Sequence, residues 1–416
     1  MKDPAEQCLR VIALSYNYLP NDLKACLLYL GIFPEDSEIS VKRLVRLWIA
    51  EGFLKLEGDL EEAAENRLQD LVDRCLGLVS QKSAHGRKIK TCRVHDLVNE
   101  LCLREAQCEN FLFIRNDDTE TVPLVGCRLI SIQNFLRSLN HTNDDNSPLR
   151  RIRSIFLFAA PSLSTNSNFE LGHLNLIRVL DLSSLYFSDF PLQILSLTFL
   201  RYLSFSTHTS FGIPRGIRKL LNLQTFIVQG SVHSFIKFPE LTWEIKQLRH
   251  LKLRIFYFPD PPSSSIDGER NLIWSNIQSV SGLLPYCCTE KVLSGIQNIK
   301  KLCIRGHVYD YDMREEVMDI REIVDLHQLE TLSIKVDRYH VSHWSSRPHK
   351  STVCVPNATY FPTELKKLKL VGTRLAWEDL NITGQWPNLE VLKLKTNACR
   401  GLEWRPIEGG FCRLKF

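Results

Sequence analysis

The sequence contains no apolar run that approaches the length of a membrane span. ACLLYLGIF, from Ala25 to Phe33, is too short and reads as part of a core helix. No secretory leader is expected either, because MKDPAEQCLR is charged and lacks the apolar centre such a leader needs. The N-x-T sequons at Asn140, Asn357 and Asn381 therefore carry no weight as glycosylation sites. Thirteen cysteines could form a disulfide scaffold in a secreted chain; without secretion they are expected to be reduced cytosolic thiols. Cys92, His95, Cys102 and Cys108 match neither C-x-x-C nor H-x-x-x-H spacing, so core packing is expected there and no metal is assigned. Cys287 and Cys288 are adjacent and read as inert. There is no G-x-S-x-G, no Cys–His nucleophile with a local signature and no motif-placed carboxylate pair, so no enzyme is expected. A G-x-x-x-x-G-K-[ST] phosphate loop is missing as well. The net charge of +5 is spread out and is no argument for nucleic acid by itself.

What is present is helical periodicity, then repeats. The length of 416 residues leaves room for two or three domains, and 44% hydrophobic residues suffice for their cores. Val11, Leu14 and Tyr18 share one helical face, as do Leu23, Cys26, Leu27 and Leu30. Pro34 stops the second helix, and Ser40 is the expected N-cap of a third that aligns Leu44, Leu47 and Trp48. A fourth helix is expected from about Asp59, burying Leu60, Ala63, Ala64, Leu68, Leu71, Val72 and Cys75 and ending at Gly77 as its C′ residue. LVSQKSAHGRKIKTCRV reads as strand, turn near residues 84–87, and strand; His95-Asp96 then open one more helix. Helices followed by such a hairpin make a winged-helix domain, assigned to residues 1–106.

Residues 107–148 read as a transition, with short apolar runs at Phe111 and Arg128 and a polar linker from Ser138 to Pro148. From Leu149 the template LxxLxxLxL recurs at Leu149, Leu174, Leu197, Leu220, Ile245, Ile296, Leu326 and Trp386, with a partial copy ending at Leu370 and a weak one near Ile277. That template predicts a leucine-rich-repeat solenoid over residues 149–416, because stacked repeats bury leucines that no single repeat could cover. The usual asparagine after each strand is held once, by Asn397, so the solenoid is expected to be irregular. The chain ends inside a repeat begun at Phe411 and Leu414. The fold class is thus α plus α/β, a helical winged-helix domain followed by a leucine-rich-repeat horseshoe.

LSYNYLP, CLLYLGIFPED, LVRLWIAEGF and VHDLVNELC, in that order, resemble the winged-helix segment of plant NLR immune receptors. These are the nucleotide-switched NB-ARC proteins with C-terminal leucine-rich repeats, and the fit is nearest to the solanaceous late-blight-resistance branch. The resemblance places Val94-His95-Asp96 at the family's Met-His-Asp switch position, with His95 directed at the β-phosphate of bound ADP in an intact parent. Val94 departs from the family's Met. The plainer reading is that His95 caps the last helix and Asp96 answers its dipole. ADP or ATP is implied for the full-length parent and none for this chain alone; any ATPase activity would belong to the missing phosphate-loop region. The resemblance further implies a cytoplasmic protein, in one variant peripheral to a membrane. Its repeats would recognise a pathogen effector or an effector-modified host protein and hold the switch shut against the NB-ARC or N-terminal part. A truncated binding scaffold, decoy or non-functional remnant is the alternative. A winged-helix nucleic-acid binder is disfavoured: the wing tip His85–Lys90 is basic, but VKRLVRLWIAE carries only three basic residues and ends in Glu51.

Alternation along the repeat strands puts Val179, Asp181 and Ser183, then Tyr202, Ser204 and Ser206, then Thr225, Ile227 and Gln229 on the concave face. Later strands give His250, Lys252, Arg254, Lys301, Arg305, Lys335, Lys367, Lys369, Lys393 and Lys395. The expectation is a one-sign column facing an acidic partner, against the blander reading that lysines keep an exposed sheet soluble.

Overall fold

In the computed structural model the described residues are 4–54, 58–83, 88–115, 127–132, 151–158, 174–231, 234–262, 274–307, 321–337, 362–401 and 403–415. They form two units, one of Met1–Tyr186 with Pro191–Ser206 and Leu223–Thr225, the other of Phe187–Phe190, Thr207–Asn222 and Phe226–Phe416.

The first unit begins with α1 (Pro4–Asn17) and α2 (Asn21–Leu28), which tightens into a 3-10 turn over Tyr29–Ile32 before Pro34. Strand β1 (Ile39–Ser40) leads into α3 (Val41–Glu51), followed by α4 (Leu60–Asp73), the hairpin β2 (Leu78–Lys82) and β3 (Ile89–Arg93), and α5 (Asp96–Cys108). The three strands make an antiparallel sheet in the order β1-β3-β2. This is the expected winged helix, and Leu23, Cys26, Leu27, Leu30, Leu44, Leu47 and Trp48 lie in its core. The turn expected at residues 84–87 and the linker from Ser138 to Pro148 lie outside the described residues.

Three local expectations are corrected. The Val11–Leu14–Tyr18 face of α1 is not core; these residues are 65%, 58% and 84% exposed. The helix carries a second stripe, Leu9, Ile12, Ala13 and Tyr16, and that stripe is the one turned inward, with Tyr16 donating to Glu109 Oε1 at 2.8 Å. Ser40 occupies the N-cap of α3, but its hydroxyl makes no capping bond, whereas Asp59 caps α4 by accepting from the amides of Glu61 and Glu62. The left-handed residue that closes α4 is Cys75 (φ 60) rather than Gly77. Its amide bonds to Val72 O, and that of Leu76 to Leu71 O at 2.9 Å, a Schellman closure built without glycine.

The parallel ladder starts earlier than residue 149. Strands β4 (Leu112–Arg115) and β5 (Leu129–Ile132) pair with each other, and β5 pairs with β6 (Ser154–Leu157), so the stretch read as a transition already supplies sheet. Next come β7 (Val179–Phe187) and β8 (Tyr202–Thr207). The leucine-template residues Ile152, Ile155, Leu174, Ile177, Leu180, Leu197, Leu200 and Leu203 are fully buried, which is what stacking requires of them.

The second unit continues the pattern. Its short outer strands are β9 (Phe211–Gly212) and β11 (Ile236–Lys237), and the ladder strands are β10 (Thr225–Gly230), β12 (His250–Tyr257), β13 (Ser279–Leu283), β14 (Lys301–His307), β15 (Thr331–Asp337) and β16 (Lys367–Val371). Strands β17 (Leu375–Ala376), β18 (Val391–Lys395) and β19 (Cys399–Arg400) complete it, β18 pairing with β16 and β19 with β17. The weak repeat near Ile277 is a full member, since β13 lies between β12 and β14. Asn397, at the repeat's asparagine position, has a left-handed backbone (φ 54). Where that residue is missing, Thr373 donates its hydroxyl to Ala398 O at 2.7 Å. Edge-to-face contacts of Phe238 with Phe226, Phe256 and Phe258, and of Trp243 with Phe258, fill the space between repeats. No helix among the described residues is long and apolar enough to cross a membrane.

Candidate functional site

Within the first unit, α3 buries Leu44, Leu47 and Trp48 on one side and so turns Arg43, Arg46 and Ala50, spaced i, i+3, i+7, toward the repeat strands. Arg43 donates from Nε and Nη2 to Asp181 Oδ2 at 3.1 and 2.8 Å, and its guanidinium lies over the rings of Phe33 and Phe158 at 5.4 and 5.6 Å. Burial works against the charge on Arg43, but the Asp181 carboxylate outweighs it and the pKa is raised. Asp181 also accepts the Ser183 amide at 3.1 Å. At the C-terminal end of α3, Arg178 Nη1 donates to Glu51 O at 3.0 Å and Arg201 Nη1 to Ala50 O at 3.4 Å. Two cations thus satisfy the carbonyls that a helix end leaves open, where its dipole favours positive charge. The Glu51 carboxylate accepts from Ser154 Oγ. Burial pushes its pKa up, partly offset by that bond and by Arg178 and Arg153.

This seam was not legible from strand alternation. Arg128, Arg153, Arg178 and Arg201 each give their carbonyl to the following strand, to the amides of Ser154, Val179, Tyr202 and Thr225, so they hold equivalent places in successive strands. The signal was in the repeats: an arginine precedes the strand in IRS, IRV and LRY, at a position the leucine template leaves open. The same contact corrects the expected concave face. Val179, Asp181, Tyr202, Ser204, Ser206 and Thr225 are buried rather than presented to a partner. In Asp181 and Tyr202 the cause is direct, because α3 covers them. Arg43 and Arg46, two of the three cations a nucleic-acid reading would need on this helix, are turned into that seam.

The switch motif is placed as follows. His95 is the N-cap of α5, its Nδ1 accepting the Leu97 amide at 3.3 Å. The tautomer selected by that bond carries its hydrogen on Nε2. Both His95 and Asp96 are exposed, while Val94 is half-buried and lines a shallow pocket with Phe33, Asp36 and Asn99. The space it encloses, open solvent included, is about 200 Å³. His95 thus leaves Nε2 as a donor at the surface, while the amide cradle that would hold nucleotide phosphates is not in this sequence. Cys92 and Cys102 are buried, with their thiols donating to Ile39 O and Leu27 O and their pKa values pushed up by burial to about 11 and about 12. Among the described residues no group of three His, Cys, Asp or Glu could hold a metal.

In the second unit the basic residues form rows, not one column. Lys301, Thr331 and Lys367 are in register; so are Lys252, Ser281, Cys303, Ser333, Lys369 and Lys393, and likewise Arg305, Lys335, Val371 and Lys395. Serines from β13 and β15 interrupt the charge. His250 is buried, its Nδ1 2.9 Å from Ser279 Oγ. Arg254 and Arg305 are both held by Asp337, at 3.1 Å and through two bonds of 2.8 and 3.0 Å, so the expectation of a one-sign column fails there. Asp337 is the last residue of β15, and its carboxylate lies within reach of both guanidiniums. The sign is uniform only further on. Lys369 has its pKa lowered by burial and then by Lys335, Lys395 and Lys393, while Cys303 acts the other way.

Comparison with known proteins adds the following. The profile of the Disease resistance protein Winged helix domain matches residues 32–102, and that of the Leucine-rich repeat region matches residues 151–416. The late blight resistance protein R1-A of Solanum demissum is 30% identical over 439 residues, covering 97% of this chain and 31% of its own length. The ToMV resistant protein Tm-2 netted virescent of Solanum lycopersicum is 29% identical over 413 residues, covering 93% of this chain and 46% of its own. The chain thus spans about a third of the first relative and less than half of the second.

Proposed function

The chain belongs to the plant disease-resistance proteins that join a winged helix to leucine-rich repeats, and on that premise we propose that it is the switch-and-recognition part of an ADP/ATP-switched immune receptor. The repeats take a pathogen effector, or a host protein that an effector has modified, in the cytoplasm. The winged helix carries the resting state through Val94-His95-Asp96. The observation that carries the reading is the seam of the first unit, where α3 is tied to the repeat strands by Arg43–Asp181 and by Glu51 with Ser154. A ligand bound to repeats can bias the winged helix only if its affinity differs between two arrangements, and this seam is an element that can have two. Nucleotide, when bound in the longer protein, supplies the phosphate that distinguishes the states. This chain's own part is to hold the His95 ring by Nδ1 and present Nε2 as a donor.

The test is a protein in which this chain follows an upstream phosphate-loop region, expressed in leaf tissue. Asp96→Val is expected to give effector-independent cell death, and because Asp96 is exposed in the first turn of α5 the change should leave the fold intact. If Asp96→Val behaves like its parent at equal protein level, the switch assignment is wrong.

A further inference from the structure

We propose that the open face of β15, β16 and β18 is a docking surface for an acidic polypeptide segment. The segment lies extended along the strands, its alternate carboxylates meeting Lys393 and Lys395 on one strand and Lys369 on the next.

The geometry is that of a lattice. Lys393 and Lys395 are two residues apart on β18, hence on the same face and roughly 7 Å from each other along the strand. Lys369 is directly opposite Lys393 in register, about 4.8 Å across. Among the described residues no ion pair is recorded for Lys369, Lys393 or Lys395, in contrast to Arg254 and Arg305, which share Asp337. Like charges this close in neighbouring strands are destabilising unless an opposite charge offsets them. Burial is the largest cause of the lowered pKa of Lys369, and Lys335, Lys395 and Lys393 add to it, the same repulsion seen from one member. Val371 and Val391, both half-buried, alternate with these lysines, Val371 standing in register with Lys395 and Val391 with Lys367. The face is therefore patterned in charge and apolar contact, not simply basic.

That pattern selects the occupant. An extended chain repeats its side chains at the same two-residue distance as the strand beneath it, so a segment with Glu or Asp at alternate positions matches β18 residue for residue. Lysine suits this role, because its ammonium is a mobile point charge that follows carboxylates of a chain, where arginine would fix a planar fork. Lys393 and Lys395 are exposed at the surface. The proposal deepens the recognition role given above to the repeats and rests on it. Its test uses the purified chain without cells, so the two readings can fail separately.

The probe is a fluorescent ten-residue peptide with glutamate at every second position and serine or valine between, followed by anisotropy at low and at physiological salt. The full chain is expected to bind it, with affinity falling as salt rises. Lys369→Gln, Lys393→Gln and Lys395→Gln together should weaken binding at least roughly tenfold, while Lys24→Gln, Lys90→Gln and Lys291→Gln together, an equal charge change elsewhere, should not. Equal loss in both triple variants would overturn the proposal, since bulk charge would then suffice. Equal binding of a peptide with its glutamates in one block would overturn it too, as would full displacement by an equal concentration of inorganic tripolyphosphate, which points to a small-anion site. The chain's own acidic run at Asp310, Asp312, Glu315 and Glu316 is the competing occupant. Peptide binding that emerges only after those four are neutralised would assign the face to an internal contact instead.

Discussion

Removing Asp181 or Arg43 should loosen α3 from the first repeats, and by unequal amounts. The side chain of Asp181 is 1% exposed and that of Arg43 is 31% exposed. Breaking a buried pair by deleting one partner costs about 3–5 kcal/mol, because the remaining charge is left uncompensated. In Asp181→Ala the orphan is Arg43, which can rehydrate through its exposed third, so the cost belongs near the lower figure, about 3 kcal/mol. In Arg43→Met the orphan is Asp181, which is 1% exposed, and the guanidinium's contact with the Phe33 and Phe158 rings is lost as well. That cost belongs near the upper figure, about 5 kcal/mol at neutral pH. Changing both residues should cost less than the sum by on the order of 2 kcal/mol, the coupling of residues in direct contact. A single unfolding free energy is ill-defined for a chain of two units, so the measurement is hydrogen exchange followed by mass spectrometry on peptides covering Val41–Glu51 and Val179–Phe187. Loss of about 3 kcal/mol appears as roughly a hundredfold faster exchange where reclosing is fast relative to exchange. The reasoning is refuted if Asp181→Ala changes protection by under about 1 kcal/mol, or if Arg43→Met proves the milder substitution.

Glu51→Gln should stabilise the first unit at neutral pH, because burial raises the native pKa of Glu51 above its ordinary 4.5 while an amide can still accept from Ser154 Oγ. The native carboxyl is favoured in its protonated form, so its contribution is complete below about 4.5 and is lost as pH rises through the native value; denaturation followed from acid to neutral pH should show that loss in the parent and not in the variant. Cys75→Gly should raise protection by about 0.5–1 kcal/mol in hydrogen exchange on peptides covering Leu60–Asp73, since a left-handed non-glycine residue costs about 1–2 kcal/mol and the gain is reduced by glycine's entropy in the unfolded chain. A change of the opposite sign would mean that the Cys75 side chain contributes packing despite its exposure. Purified chain should carry no stoichiometric ADP, because the phosphate-loop motif that carries phosphate affinity is missing from its sequence; release of a full equivalent of ADP on denaturation would falsify that expectation.

The parts of the fold that were legible depend on one residue type at one period. Leucines at LxxLxxLxL specify a stacked repeat because nothing else covers them, and Leu44, Leu47 and Trp48 specify one face of α3 in the same way. Where two periods coexist, the sequence is ambiguous. Helix α1 carries Val11–Leu14–Tyr18 and Leu9–Ile12–Tyr16 as equally regular stripes, and only the packing of the rest of its unit selects between them. Strands β4 and β5 were visible only as short apolar runs, because neither has a clean leucine template ahead of it. Long-range polar partners were invisible for a different reason. Asp337 meets Arg305 across 32 residues and Arg254 across 83, and Arg43 meets Asp181 across 138. No period links such pairs, and alternation along a strand says which side a residue faces but not what covers it.

The same limit explains how charge was misassigned along the sheet. Alternation treats every outward residue as presented to solvent, so it gave Asp181 and Lys393 the same standing. The fold gives them opposite ones: Asp181 is closed under α3 with a counter-charge, while Lys393 is exposed beside Lys369 and Lys395. A solenoid can carry both because each repeat contacts only its neighbours. That independence is why the seam and the lysine lattice can be perturbed separately, the first by Asp181→Ala and the second by the triple lysine variant. If the two sets of changes prove additive in exchange protection and in peptide affinity, recognition on the lysine lattice does not act through the α3 seam. Coupling between them would require the strands from β8 to β15 to have two arrangements, and the exchange rates of those strands would then change when the acidic peptide binds.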